Sequence, residues 1–196
     1  MSSPDWKQGI ARVSQRSPVD SQRIHEFLGA LGERFRGRAR LYLVGGATLV
    51  YEHFRAQTLD IDLTIEAEPS AEGQLIQAIR ELKDSLGLNV EQVSPADFIP
   101  LPAGYRDRSE FIGRFGNLDV FHFDLYSTAL SKIERGSEQD FADVLALLRA
   151  KRIQWTELER AFDEILPQFG LHSLRQNPQA FQRKFEALRG QWPATL

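Results

Sequence analysis

A double glycine between two short predicted strands is the feature that most constrains the fold of this chain. Residues 41–44 form an apolar run that ends at Gly45 and Gly46, as a buried strand does where it enters a tight turn. Residues 59–65 alternate strictly between apolar and polar side chains, which is typical of a strand with one buried face. A short helix over residues 47–54 fits between the two strands. The apolar side chains expected to face the core are Leu59, Ile61, Leu63 and Ile65.

The remaining elements are predicted from hydrophobic spacing and turn residues. Amphipathic spacing indicates further helices at residues 20–35, 70–86, 126–135, 138–151, 156–169 and 178–190. Extended segments are expected at residues 89–93, 111–115 and 118–123, the last two joined as a hairpin by Gly116 and Asn117. This order predicts an α+β fold, with a mixed β-sheet flanked by helices and a C-terminal helical part.

The chain has 196 residues, which we divide into a polar leader (residues 1–19), a main domain (20–150) and a C-terminal helical extension (151–196). Hydrophobic residues make up 42% and charged residues 26%, as in a soluble globular protein. Cysteine is absent, which excludes disulfides and thiolate chemistry. The sequence has no secretion signal and no membrane-spanning apolar run, so we expect a cytoplasmic protein with no membrane partner. The formal net charge of −3 argues against a general nucleic-acid coat.

Two carboxylates, Asp60 and Asp62, lie on the polar face of the second predicted strand. Side chains at i and i+2 on a strand project in the same direction, so this pair can hold Mg²⁺ together with the phosphates of a nucleotide. Gly45 and Gly46 let the backbone approach a triphosphate and aim amide N–H groups at its oxygens. In-line attack on the α-phosphorus requires such charge neutralisation on the attacking and leaving oxygens.

Each piece of this pattern also has a plain structural interpretation. Gly45 and Gly46 can form a simple turn, and Asp60 and Asp62 can be solvent-facing residues of a strand buried on one side. Either piece alone favours that interpretation. Both pieces in this order, with 13 residues between the second glycine and the first aspartate, favour a nucleotide site.

Five stretches of sequence carry a family likeness. Residues 43–47 (LVGGA) and 58–63 (TLDIDL) resemble the signature of the DNA-polymerase-β-like minimal nucleotidyltransferase fold. Residues 123–126 (FDLY), 130–136 (LSKIERG) and 139–144 (QDFADV) are similar to the later motifs of the abortive-infection type of bacterial nucleotidyltransferase toxin and its uncharacterised relatives. The resemblance spans about residues 41–148.

The resemblance implies a Mg²⁺-dependent nucleotidyltransferase that moves a nucleoside monophosphate from a nucleoside triphosphate to an acceptor hydroxyl. The acceptor could be the 3′ end of a tRNA, a protein side chain or a small molecule. A toxin-type enzyme also implies an antitoxin partner that restrains it. The resemblance assigns metal binding and catalysis to Asp60 and Asp62, and nucleotide binding to Gly45 and Gly46.

The same resemblance gives roles to residues of the later helices. Lys132 would bind phosphate, Asp140 would position Lys132 or the acceptor, and Arg135 is a further phosphate-binding candidate. Helix geometry places Lys132 and Asp140 at the margins of the buried stripes of their helices, whereas Asp143 is expected to point further out.

A third metal-binding carboxylate is sought in the second strand of the hairpin, where Asp119 and Asp124 point to opposite faces. Phe121 and Phe123 share the face of Asp119, which indicates the core, whereas His122 shares the face of Asp124. This polarity favours Asp124 as the third ligand. The alternative is that Asp124 caps the helix that follows it.

The C-terminal segment, residues 171–196, is basic and carries interleaved aromatic side chains. It can be a patch for an RNA backbone with stacking aromatics. We favour an amphipathic helix that lays Phe181, Phe185 and Leu188 on the core with its charges in water.

Two other classes of function compete with nucleotidyl transfer. One is a non-catalytic module that keeps the fold to bind a nucleotide or a partner protein. Asp60 and Asp62 argue against it, because two like charges on one strand face cost stability unless a cation lies between them. The other is a glycosyltransferase that uses the Asp-x-Asp for a sugar nucleotide, which the short chain and the early position of the motif disfavour.

Overall fold

The computed structural model of the protein describes residues 18–170 and 177–192. Its strands in this part of the chain are β1 (Ala39–Leu43), β2 (Ile61–Ala67), β3 (Val90–Gln92), β4 (Glu110–Phe115) and β5 (Leu118–His122). They form one sheet in the order β3-β2-β1-β5-β4. Strand β1 runs antiparallel to β2 and parallel to β5, and β4 and β5 form the expected antiparallel hairpin. The mixed sheet confirms the predicted α+β fold.

The predicted helices are present with small changes at their ends. They are α1 (Ser21–Arg34), α2 (Gly45–Tyr51), α3 (Pro69–Leu86), α4 (Leu125–Arg135), α5 (Glu138–Arg149), α6 (Trp155–Ile165) and α7 (Pro178–Gln191). Local sequence explains several of the ends, since Asp20 caps α1 and Gly87 ends α3 in the left-handed conformation. Helix α6 continues into a 3-10 turn over Leu166–Gln168.

One hydrophobic core lies between the sheet and helices α1 and α3. Strand residues Leu41, Leu43, Ile61 and Leu63 are buried in it. The predicted apolar stripe of α1 is confirmed, because all of its members are buried: Ile24, Phe27, Leu28, Leu31 and Phe35. This packing fixes which face of β1 and β2 is closed and leaves the other face, which carries Asp62, for the site.

A second core is built from helices α4, α5, α6 and α7. Phe181, Phe185 and Leu188 are buried in it, which confirms the amphipathic interpretation of α7. Residues 171–176 and 193–196, the rest of the basic segment, lie outside the described residues. Helices before and after residue 150 share this core, and the division of the chain at that residue stays a prediction.

The structure corrects two expectations at the edges of the first core. Leu59 was expected to face the core, but its exposed fraction is 65% because β2 begins at Ile61, two residues later. Val19, which we placed in the polar leader, is buried and forms an isolated antiparallel bridge with Thr58. The other leader residues up to 17 lie outside the described residues.

The face of β5 that we expected to be core points away from the main core and packs in a smaller hydrophobic cluster, in which Tyr42, Val44 and Phe123 are buried. On β5 itself, Val120 and His122 are buried on the side of the main core, whereas Asp119 and Phe121 are half-buried on the other side. This second face is aromatic, with the rings of Tyr42 and Phe121 stacked at 5.4 Å between centroids.

Candidate active site

Gly45 stands at the point where β1 ends and α2 begins. Its φ is +57°, a conformation that glycine adopts without the steric cost of a side chain. A Cβ at this position would lie 3.1 Å from Oδ2 of Asp62, and a Cβ on Gly46 would lie 2.6 Å from Oγ1 of Thr58. A side chain at Gly45 would therefore crowd the Asp62 carboxylate, and a side chain at Gly46 would collide with Thr58.

The two aspartates lie at the start of β2. Asp60 precedes the strand and accepts a hydrogen bond from the side-chain amide of Asn89. Asp62 is half-buried, and its main-chain oxygen accepts a hydrogen bond of 3.0 Å from the Val44 amide. The pair thus lies directly beside the end of β1, as the sequence predicts.

The electrostatics of Asp62 are those of a carboxylate that lacks a strong counter-charge. Burial raises the pKa of Asp62 to about 6, with further raising effects from the negative charges of Asp60 and Glu91. Arg135 and Lys132 lower the same pKa, so both cations act on Asp62 across the site. A divalent cation bound here would favour the ionised form.

Lys132 is a buried cation, with an exposed side-chain fraction of 2%. Its Nζ lies 2.6 Å from Oδ2 of Asp143 and 3.4 Å from Oδ1 of Asp140. The expectation that Asp143 points outward is wrong, because α5 packs against α4 so that Asp143 is buried as the nearer partner of Lys132. Lys132 is more deeply buried than we expected for a residue at the margin of the apolar stripe of its helix.

Asp140 has two structural tasks at the start of α5. It forms a capping box with Ser137, whose hydroxyl donates to Oδ2 at 2.7 Å, and it pairs with Arg135 through Oδ1. Burial alone would raise the pKa of Asp140, but the hydrogen bonds from Arg135 and Ser137 and the charge of Lys132 lower it below its ordinary value. Asp140 is therefore a charged carboxylate, and it holds Arg135 and Lys132 in place.

Arg55 is a site residue that the sequence analysis missed. Its Nη1 lies 3.5 Å from Oδ2 of Asp143 and 3.7 Å from where a Cβ of Gly46 would be. The available signal was its position in the short loop between the double glycine and the aspartate pair. Asp143 was missed as well, because helix geometry placed it away from the buried stripe of its helix.

The alternative interpretation of Asp124 is confirmed, because this residue caps α4. It is fully buried, and its oxygens accept hydrogen bonds from the Tyr126 and Ser127 amides and the Ser127 hydroxyl. Arg108 adds a two-pronged ion pair, with 2.9 Å to each oxygen. These donors occupy both carboxylate oxygens of Asp124 at the start of α4.

Asp119 lies far from the aspartate pair. It is opposite Arg40 of β1, four residues before Val44, and strand rise makes this a separation of about 13 Å from the Val44 position. Its carboxylate pairs with Arg114 at 2.7 Å. Within the described residues no three acidic or histidine side chains converge as a ready metal-ligand set, so Asp60 and Asp62 stand as a pair.

The geometry brings most of the expected site together from three directions. The glycines come from the end of β1, the aspartate pair from the start of β2, and the cations from α4. Mg²⁺ is commonly bound by one or two carboxylates plus substrate phosphates and water, so the donors present fit this metal.

Comparison with known proteins identifies the family of the chain. A family model described as a nucleotidyltransferase of unknown function (DUF6036) matches residues 22–191. The chain belongs to this family. The match spans both hydrophobic cores, from α1 to α7. No curated protein and no solved structure is detectably similar to the chain.

Membership in the family supports a nucleotidyltransferase fold and the general class of nucleotidyl transfer. The finer resemblance to abortive-infection toxins stays a prediction. In the part of the chain that the structure describes, no helix has both the length and the apolar character needed to cross a bilayer.

Proposed function

We propose that the protein is a Mg²⁺-dependent nucleotidyltransferase that transfers a nucleoside monophosphate from a nucleoside triphosphate to an acceptor hydroxyl and releases pyrophosphate. The observation that carries the proposal is the position of Asp62, which faces the side-chain-free space at Gly45 and is acted on by Lys132 and Arg135. The family membership of the chain supports the class of reaction.

The balance of charge at the site supports a role for divalent metal. Three cations (Arg55, Lys132 and Arg135) stand beside five carboxylates (Asp60, Asp62, Glu91, Asp140 and Asp143), so the site carries a net formal charge of −2. A triphosphate adds several negative charges to a site that is already negative. Bound Mg²⁺ would supply the missing positive charge and stabilise the attacking and leaving oxygens.

The residues of the chain would then divide the remaining work. Gly45 and Gly46 let the phosphates approach the backbone, and Asp60 and Asp62 hold the metal. Lys132 and Arg135 attract the phosphate oxygens, and Asp140 keeps both cations in position. This arrangement contributes by orientation and by electrostatics, the two effects on which phosphoryl transfer chiefly depends.

The acceptor and the biological setting follow from resemblance. We propose a toxin-type enzyme of the cytoplasm that modifies a tRNA 3′ end or a protein side chain and is restrained by an antitoxin partner. The support is the similarity of residues 123–144 to the abortive-infection group. A small-molecule acceptor and a non-catalytic binding module are the alternatives that the experiment must separate.

The test is incubation of the protein with Mg²⁺, each α-³²P-labelled nucleoside triphosphate, total tRNA and lysate protein. Asp60→Asn and Asp62→Asn are run in parallel, with Asp84→Asn on the exposed surface of α3 as a matched control. We expect label on RNA or protein with the native chain and Asp84→Asn, and none with the other two. Absence of label with all four nucleotides, together with nucleotide binding that Mg²⁺ does not strengthen, would support the binding-module alternative.

A further inference from the structure

We propose that Arg55 is a phosphate-binding residue of the site, and that Asp143 holds it over the glycine turn. The proposal rests on the proposed function in taking a triphosphate as the ligand. It adds a cation from the loop after α2 to the pair supplied by α4.

Arg55 reaches the same turn that the phosphates would approach. Its Nη1 is 3.7 Å from the Cβ position of Gly46, so the guanidinium lies beside the backbone of the turn. The side chain of Thr58 lies on the same side of the turn, with its Oγ1 2.6 Å from that position. A hydroxyl and a guanidinium thus lie together beside Gly46, and phosphate oxygens accept hydrogen bonds from both types of group.

The side chain of Arg55 is more accessible than that of Lys132. It is 31% exposed, whereas Lys132 is 2% exposed and lies beneath two carboxylates. Arg55, like Arg135 at 42% exposure, is therefore a cation that an incoming ligand can reach without displacing buried structure. Lys132 acts on the ligand from the buried side of the site, mainly through the electrostatic field of its charge.

Arg55 is also held loosely in this structure. Within the described residues its ion-pair partner is Asp143 at 3.5 Å, and no hydrogen bond accompanies that pair. In contrast, Arg108 makes two hydrogen bonds of 2.9 Å to Asp124. The planar guanidinium of Arg55 thus retains donors for a two-pronged contact with phosphate.

Asp143 is placed to position Arg55. Its carboxylate is buried, with Oδ1 accepting from Gln139 at 2.9 Å and Oδ2 shared between Lys132 and Arg55. A fixed carboxylate with a second cation on the same oxygen keeps Arg55 near the turn and still lets it rotate towards phosphate. Asp143 acts through Arg55 and has no need to touch the ligand.

The test uses inorganic tripolyphosphate and inorganic monophosphate as probes, since both report phosphate binding independently of base and acceptor. Affinities are measured by calorimetry, with and without Mg²⁺, on the full chain and on Arg55→Gln and Arg55→Lys. Arg152→Gln is the matched control, because Arg152 has a side-chain exposure of 30% and pairs with Glu52 and Glu110 instead.

We expect Arg55→Gln to weaken tripolyphosphate binding by about tenfold or more, Arg55→Lys to recover part of the loss, and Arg152→Gln to bind as the native chain does. Monophosphate binding should change little. A folded Arg55→Gln with native affinity for tripolyphosphate would overturn the proposal, as would a native chain that binds no tripolyphosphate. If Arg55→Gln does not fold, Arg55→Met is measured in its place, and a folded Arg55→Met with native affinity overturns the proposal equally.

The role of Asp143 is tested by a double-mutant cycle. Asp143→Asn should weaken tripolyphosphate binding in the native background and weaken it less in the Arg55→Gln background, because the two residues act together. Strictly additive losses would contradict the positioning role. If the native chain binds tripolyphosphate through Arg55 but transfers no nucleotide, the proposed function fails while this inference stands.

Discussion

Gly45 and Asp62 face each other across the junction of β1 and β2, with 3.1 Å between a Cβ built on the glycine and Oδ2 of the aspartate. This contact joins the two halves of the sequence pattern. The glycine is required twice, once for its positive φ and once for the space in front of the carboxylate. A substitution that adds one methyl group therefore tests the site directly.

Gly45→Ala should lose nucleotide transfer and Mg²⁺-dependent nucleotide binding while costing about 1 to 2 kcal/mol of folding stability. The stability cost comes from a side chain at positive φ, and the functional loss comes from crowding at Asp62. Gly87→Ala is the matched control, because Gly87 has a φ of +62° and open space where its Cβ would be. Denaturation and nucleotide titration of both variants should show similar stabilities and a functional loss in Gly45→Ala alone. Normal activity in Gly45→Ala would contradict the assigned site.

Asp62→Asn should make the metal-free protein more stable at neutral pH. The pKa of Asp62 is raised to about 6, so the folded chain holds a proton more tightly than the unfolded chain does. Stability of the native chain should thus fall as pH rises from about 4 through about 6, and Asn removes this penalty, which is on the order of 1 to 3 kcal/mol.

Thermal unfolding of Asp62→Asn and the native chain from pH 4 to pH 8 tests whether stability changes with pH in this direction. With chelator present, the advantage of the variant should grow with pH and level off above about 6. With Mg²⁺ and nucleotide present, the native chain should gain stability and the variant should gain little. A variant that is less stable than the native chain at pH 8 without metal would show that burial of the charge is not penalised.

Local pattern was enough to predict the parts of the fold whose neighbours lie close in sequence. The strand that precedes Gly45 and the apolar stripe of α1 each lie within one short continuous segment, so hydrophobic periodicity identifies them. The sequence did not identify which face of β5 meets the main core because both faces carry apolar side chains, Val120 on one and Phe121 on the other. Which face is closed depends on helices α1 and α3, and the strand itself does not record that.

The parts of the site that were missed depend on packing between distant segments. Asp143 is buried because α5 lies against α4, and Arg55 meets it from the loop after α2. Similarly, Asp124 caps α4 through the Tyr126 and Ser127 amides, and its ion-pair partner Arg108 comes from an irregular loop that periodicity does not describe. Sequence pattern indicated the residue types, and tertiary contacts decided their partners.

Lys132→Met should destabilise the fold by about 3 to 5 kcal/mol, because it leaves Asp143 and Asp140 buried without their shared cation. Adding Asp143→Asn to Lys132→Met should recover much of this stability, since it removes one uncompensated charge. Chemical denaturation measures both effects. Transfer activity should stay lost in the double variant and be higher in Asp143→Asn alone, which separates the contribution of Lys132 to chemistry from its contribution to folding. Equal activity in the double variant and in Asp143→Asn alone would show that Lys132 has only a structural role.

Substitution of Asp124 distinguishes a helix-capping role from a metal-binding role for this residue. Asparagine caps helices about as well as aspartate, so Asp124→Asn should lose the ion pair with Arg108 but keep the bonds from the Tyr126 and Ser127 amides. We expect a loss of about 1 to 3 kcal/mol, with the Mg²⁺-dependent rise in melting temperature retained. Arg108→Gln should lower stability in the same way, because it breaks the same ion pair from the other side. If Asp124→Asn abolishes the Mg²⁺ response and Arg108→Gln does not, Asp124 binds metal and its capping role is secondary.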